Sequence, residues 1–158
     1  MYDRILVALD GSVIAEETLP HAQALAKPFG ATVLLLRATT PPEQVTPAAA
    51  AGPTPVSGPL VDPTPIIEAE LRAATTYLAA TAEVLESAGV TVECVQRDGH
   101  PAEVILEEAR ERNVDLIAMT THGRGGVARL AFGSVADKVL RHAPCPVLLV
   151  RVQPAAEE

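Results

Sequence analysis

Residues 4–12 read RILVALDGS: an unbroken aliphatic run, Ile5–Leu9, closed by Asp10, Gly11 and Ser12. In an extended chain such a run is apolar on both faces, and it ends in turn-forming residues. It predicts a strand buried on both sides, as in a parallel sheet covered by helices. Similar runs recur outward along the chain at Thr32–Leu36, Leu116–Met119 and, after Pro144 and Pro146, Val147–Val152. Val90–Val95 (VTVECV) alternates apolar with polar, predicting a strand nearer an edge. Between these runs, apolar residues step by three and four. Ile14, Thr18, Ala22, Leu25 and Phe29 predict one helix ending at Gly30. Ile67, Leu71, Ala74, Leu78, Ala82 and Leu85 predict a long helix stopped by Gly89. Pro101 opens a third, carrying Val104, Ile105 and Ala109, and Gly133–Arg141 is the last. Strands alternating with helices give an α/β fold: a single-domain three-layer sandwich around a five-stranded parallel sheet. Ligands of such sheets bind at the carboxyl ends of the strands, where strand order reverses.

The length, 158 residues, suits one domain. Aromatic residues make up only 3%, so the core is aliphatic. Eight of the 14 prolines crowd into Pro41–Pro65, which reads as an interdomain linker or as a long loop. Residues 1–38 offer only two strands and a helix, too little for a separate domain, so the loop reading stands. Residues 1–152 are expected to form the domain, with a Pro/Ala-rich loop at 39–65 acting as a flap near the ligand and a short acidic tail at 153–158. Cys94 and Cys145 have no metal-ligand spacing and are expected to be small buried hydrophobes. The start of the chain does not look like a signal peptide, and no run of apolar residues is long enough for a membrane span. A cytoplasmic protein that binds no membrane is expected.

The net charge of −8 argues against nucleic-acid binding. Yet residues 121–151 hold five basic side chains (Arg124, Arg129, Lys138, Arg141, Arg151) and one acidic, Asp137. That patch suits a small anionic ligand, or it is a chance cluster of solvated charges. Within it, Met119–Ser134 reads MTTHGRGGVARLAFGS. Its glycines permit close backbone approach, Gly133 and Ser134 open a helix whose first N–H groups are free, and Arg124 and Arg129 add positive charge. These features make a phosphate cradle; a flexible glycine loop before an ordinary Ser-capped helix fits equally well. The GxGxxA at Gly123–Ala128 is not a dinucleotide fingerprint, because only one strand follows it. No P-loop is present. Asp10, at the end of the first strand, suits ribose hydroxyls or a divalent cation, or simply forms the turn. His122 has no nucleophile beside it and suits a hydrogen bond better than catalysis.

DRILVALDGS, GHPAEVILEEA at Gly99–Ala109 and THGRGGVARLAFGSVADKVLRHAPCPVLLV at Thr121–Val150 together resemble the universal stress protein family. The likeness covers the chain apart from the Pro-rich stretch. It implies a Rossmann-like fold of the adenine nucleotide alpha hydrolase-like type and a homodimer paired through the last strand. The family's nucleotide binders carry G-x2-G-x9-G-[ST]. Here Gly123, nine residues and Gly133-Ser134 supply the second part, while Thr120 stands at the first glycine. The resemblance implies that Asp10 meets the ribose or a phosphate-bound Mg²⁺ or Mn²⁺, with Ala8 nearby. Ala38 would line the adenine. Thr120, His122 and Gly123 would form the floor, with Arg124 adding charge to the site, and Gly133, Ser134 and Val135 the phosphate cradle.

An ATP-binding, homodimeric stress-response sensor or regulator is therefore expected. No general base is evident, so any ATP hydrolysis would be slow. Alternatives are an interaction module of the same fold without ATP, or a binder of AMP or a cyclic nucleotide.

Overall fold

In the computed structural model, residues 1–39, 64–121 and 133–151 are described. The elements run β1 (Arg4–Ala8), α1 (Val13–Glu16), α2 (Leu19–Phe29), β2 (Thr32–Thr39), α3 (Thr64–Ser87), β3 (Thr91–Asp98), α4 (Pro101–Glu111), β4 (Leu116–Thr120), α5 (Ser134–His142) and β5 (Val147–Val150). The five strands form one sheet in the order β3-β2-β1-β4-β5, and all pairings are parallel. Strands from both sides of the Pro-rich stretch thus enter the same sheet. The chain winds from β1 toward β3, then resumes on the other side of β1 with β4 and β5. The reversal falls between β1 and β4.

The aliphatic runs are buried as their sequence demands. Ile5, Val7, Leu9, Val33 and Leu35 pack against Ala15, Ala22, Ala26, Leu78, Ala82 and Leu85 from α1, α2 and α3. Leu6, Leu34, Leu36, Ile117 and Met119 pack against Ala102, Val104, Ile105, Ala136 and Val139 from α4 and α5. Small alanines on the helices let them approach a sheet whose own side chains supply the volume. Tyr2 and Tyr77 pack only as partly buried neighbours of the first cluster.

Three features depart from the sequence reading. The first helix is two: α1 ends at Glu16 and α2 begins at Leu19, with a buried Thr18 between them. Pro20 explains the break. It has no N–H to donate, and its ring would collide with the Glu16 carbonyl in a continuous helix. The Pro-rich connection is shorter at both ends than 39–65. β2 continues through Thr39, and α3 starts at Thr64 with Pro65 in its first turn, where a missing N–H costs nothing. The proposed flap itself lies outside the described residues, as do Val152 and the acidic tail. Finally, Cys94 is exposed and Cys145 half-buried, both as free thiols. Cys94 lies on β3, which among the described residues has a neighbouring strand on one side only.

The β3 edge is fastened to α4 by charge. Glu108 on α4 is buried and accepts from Arg97 Nη1 at 2.7 Å and Arg112 Nε at 2.6 Å. Burial raises the Glu108 pKa, but the hydrogen bonds from the two arginines outweigh it and hold the carboxyl below its ordinary value. Asp115, before β4, accepts from the N–H groups of Asp3 and Arg4 at 2.8 and 2.9 Å, which lower its pKa too. A carboxyl with a lowered folded-state pKa stabilises above its unfolded pKa, and that stability is lost as the pH falls through the folded value. Glu108→Gln is expected to cost about 1–3 kcal/mol near neutrality. The difference in melting temperature from the wild type should shrink as the solution is acidified. Thermal melts of both proteins across acidic pH check this; a difference independent of pH would contradict it.

Candidate functional site

β1 and β4, the pair at the reversal, end side by side with polar loops. After β1, Asp10 Oδ1 accepts from the backbone N–H of Ser12 at 2.9 Å and from its hydroxyl at 2.6 Å. Ser12 Oγ in turn accepts from Ala15 N at 3.2 Å, capping α1. The turn needs glycine at its centre, because Gly11 has φ +82. Asp10 therefore forms the turn, as one of the two sequence readings has it. The half-buried carboxylate also stands at the carboxyl edge of the sheet, as the other requires.

After β4, Thr120 and Thr121 are buried. Gly133 N donates to Thr121 O at 3.1 Å, so the start of α5 returns to the end of β4. Gly133 is the N-cap residue, with φ −49 and ψ 160, and among the described residues no side chain caps the helix. Ser134 is thus the first helical residue rather than the cap, and both Gly133 and Ser134 are exposed. The N–H groups of the first turn have no intrahelical acceptors and carry the positive end of the helix dipole. Val135 is half-buried and packs against the core cluster beside α4.

Ala8 and Ala38 lie on the α4/α5 side of the sheet, partly buried against the same cluster. Ala38 is inside β2 rather than just past it, because the strand runs to Thr39. Of the ten residues singled out in the sequence, Ala8, Asp10, Ala38, Thr120, Gly133, Ser134 and Val135 are placed along the carboxyl edges of β1, β2 and β4 and the start of α5. His122, Gly123 and Arg124 lie outside the described residues. Among the described residues, no three His, Cys, Asp or Glu side chains come together as a metal site. Nor is any helix there long and apolar enough to cross a membrane.

Sequence reasoning passed over Arg37. It stands near the end of an otherwise aliphatic strand, TVLLLRAT, yet is only 8% exposed. Its guanidinium carbon lies 5.3 Å from the centre of the Tyr77 ring on α3. The signal was present as a charge inside a run that must be buried.

Fold and topology together define a doubly wound parallel α/β protein whose winding reverses between β1 and β4. The chain belongs to the universal stress protein family, whose model matches residues 1–151. A universal stress protein of Thermus aquaticus is 36% identical over 96% of this chain and all of its own length. The solved structure of the universal stress protein UspA from Lactobacillus plantarum is 25% identical, covers 95% of this chain and 98% of its own, and superposes with a TM-score of 0.76. A universal stress protein solved in complex with cAMP is 22% identical, covers 96% and 98%, and has a TM-score of 0.67; it bears on the fold alone.

Proposed function

We propose that this protein binds an adenine nucleotide, ATP with Mg²⁺ or Mn²⁺, at the crevice between β1 and β4, and acts as a homodimeric regulator. The observation that carries this reading is the meeting of two elements at the switch point. The Asp10 turn ends β1, and the uncapped N-terminus of α5 is drawn back to the adjacent end of β4 by the Gly133–Thr121 hydrogen bond. The donor set suits an anion: first-turn N–H groups, the exposed Ser134 hydroxyl, and no side chain on Gly133 to stand in the way. Asp10 is the acidic group for ribose hydroxyls or a cation carried by the phosphates. A bound cation would offset phosphate charge beside that carboxylate. The reading is of retained or exchanged nucleotide rather than rapid turnover.

The dimer contact proposed is β5, an edge strand whose residues are all half-buried, Val147–Val150. Such an edge offers unpaired backbone groups to a second copy. A second reading, an interaction module without nucleotide, is favoured by Thr120, whose buried side chain stands where the family's nucleotide binders have glycine.

Calorimetric titration with ATP, AMP and cAMP, with and without Mg²⁺, separates the readings. Saturable binding of ATP, strengthened by Mg²⁺, is expected. No binding at millimolar nucleotide would overturn the proposal, and if Thr120→Gly then created a site, the second reading would hold.

A further inference from the structure

We propose that Arg37 is a positioning residue for this site: its guanidinium clamps the Asp10–Gly11–Ser12 turn to α3, and so fixes where the Asp10 carboxylate meets the ligand. The inference rests on the nucleotide reading above.

A buried arginine is ordinarily paired with a carboxylate, because removing its charge from water is costly. Arg37 is buried, and among the described residues no carboxylate lies within ion-pair distance of it, although the charges of Glu16 and Asp10 reach the neighbouring Tyr77. It has two flat contacts instead. One is the Tyr77 ring, whose negative face attracts a cation. The other is Gly11. A Cβ placed on Gly11 would lie 3.0 Å from Arg37 Cζ, 3.0 Å from Nη1 and 3.1 Å from Nη2. Near-equal distances to three atoms of the fork mean that its plane faces the turn.

Glycine is therefore favoured here on two counts. Its φ of +82 disfavours a side chain, and a Cβ would press on the guanidinium, which would have to give by a few tenths of an ångström. The second count holds only while Arg37 is present. The Tyr77 phenol is suited to its part. Burial first, then the Glu16 carboxylate beside it, push its pKa up to about 12, so the ring stays neutral. Thus three elements meet at the guanidinium: the end of β2, the turn after β1, and α3. The contacts from Ser12 set the shape of the turn; the clamp sets its place relative to the sheet.

A buried unpaired cation contributes little to stability, and an apolar side chain of similar volume does as well or better. This separates positioning from structural support. Arg37→Met, Gly11→Ala and the double variant would be compared with the wild type by calorimetric titration with Mg-ATP and by thermal melting. Arg37→Met is expected to weaken Mg-ATP binding about tenfold or more, since small displacements at a site are costly. Its melting temperature should stay level or rise. Gly11→Ala should reduce affinity and melting temperature more in the wild-type background than in the Arg37→Met background, where only the φ strain remains. Near-ultraviolet circular dichroism in a Tyr2→Phe background isolates Tyr77, and its band should change with Arg37→Met.

Wild-type affinity in Arg37→Met would overturn the proposal. So would an affinity loss matched by a fall in melting temperature, or equal effects of Gly11→Ala in both backgrounds. If the wild type binds no Mg-ATP, the nucleotide reading fails and the positioning role with it. The melting cycle and the Tyr77 band would then show separately whether the clamp itself exists.

Discussion

Gly133→Asp is expected to abolish nucleotide binding while leaving the protein as stable as the wild type, or slightly more so. The two effects part because the position serves helix and ligand in different ways. With φ −49 and ψ 160, Gly133 holds a conformation open to any L residue, so a side chain brings no backbone strain. A Cβ there would lie 3.4 Å from Thr121 O, close to ordinary contact. Aspartate is also among the best N-cap residues, and α5 has no side-chain cap of its own. Its carboxylate would accept from the first-turn N–H groups and add about a few tenths of a kcal/mol relative to glycine. Those N–H groups are the ones proposed to hold phosphate. Once engaged, they are closed to the ligand, and a negative charge faces its negative charge. A loss of at least about 100-fold, near 3 kcal/mol, is expected. Calorimetry with Mg-ATP and a thermal melt read the two effects separately. Gly133→Ala, which adds the Cβ without the charge, should lose much less. Wild-type affinity in Gly133→Asp would place the phosphates elsewhere.

The parts of this molecule legible in its sequence are those set by local pattern. Ile5–Leu9, Thr32–Leu36 and Leu116–Met119 are too uniformly aliphatic for anything but doubly covered strands, and the alternation of Val90–Val95 marked an edge. Asp10 and Gly133 were legible as the residues that end β1 and begin α5, because acids and glycines are common at turns and helix caps; the same commonness left turn and ligand roles undivided. What escaped was decided at longer range. The break between α1 and α2 follows from one ring, Pro20, set against an otherwise helical spacing. β2 looked finished at Leu36 because a charge follows it. The strand in fact continues, since Tyr77 and the bare Gly11 backbone accept the guanidinium. Neither contact can be read from residues next to Arg37. Cys94 looked buried among apolar neighbours, but its strand turned out to have a partner on one side only.

Leu35→Ala should produce the largest loss of stability among single substitutions in the sheet. Leu35 sits mid-strand in β2, opposite Val7 of β1 and Cys94 of β3, with no exposed surface. It faces the helices α1–α3, where the packed residues are mostly alanines. Those helices contribute little volume of their own, so a missing leucine leaves a gap that short side chains cannot fill. The expected cost is about 2–5 kcal/mol, the range for a truncated core leucine. That is a large fraction of the roughly 5–15 kcal/mol by which a domain is stable. For a chain of this size it corresponds to a fall in melting temperature of about 5–15 °C. The urea midpoint should drop with no change in slope, since the surface exposed on unfolding is nearly the same. Val84→Ala is the matched control. Val84 is on α3 but 64% exposed, and its change should stay within about 0.5 kcal/mol. Leu35 and Arg37 share a face of β2, so the cavity lies just below the proposed clamp. Mg-ATP affinity should therefore fall in Leu35→Ala even well below its melting temperature. A Leu35→Ala protein as stable as the Val84→Ala control would mean that the α1–α3 face is not packed around β2 as described.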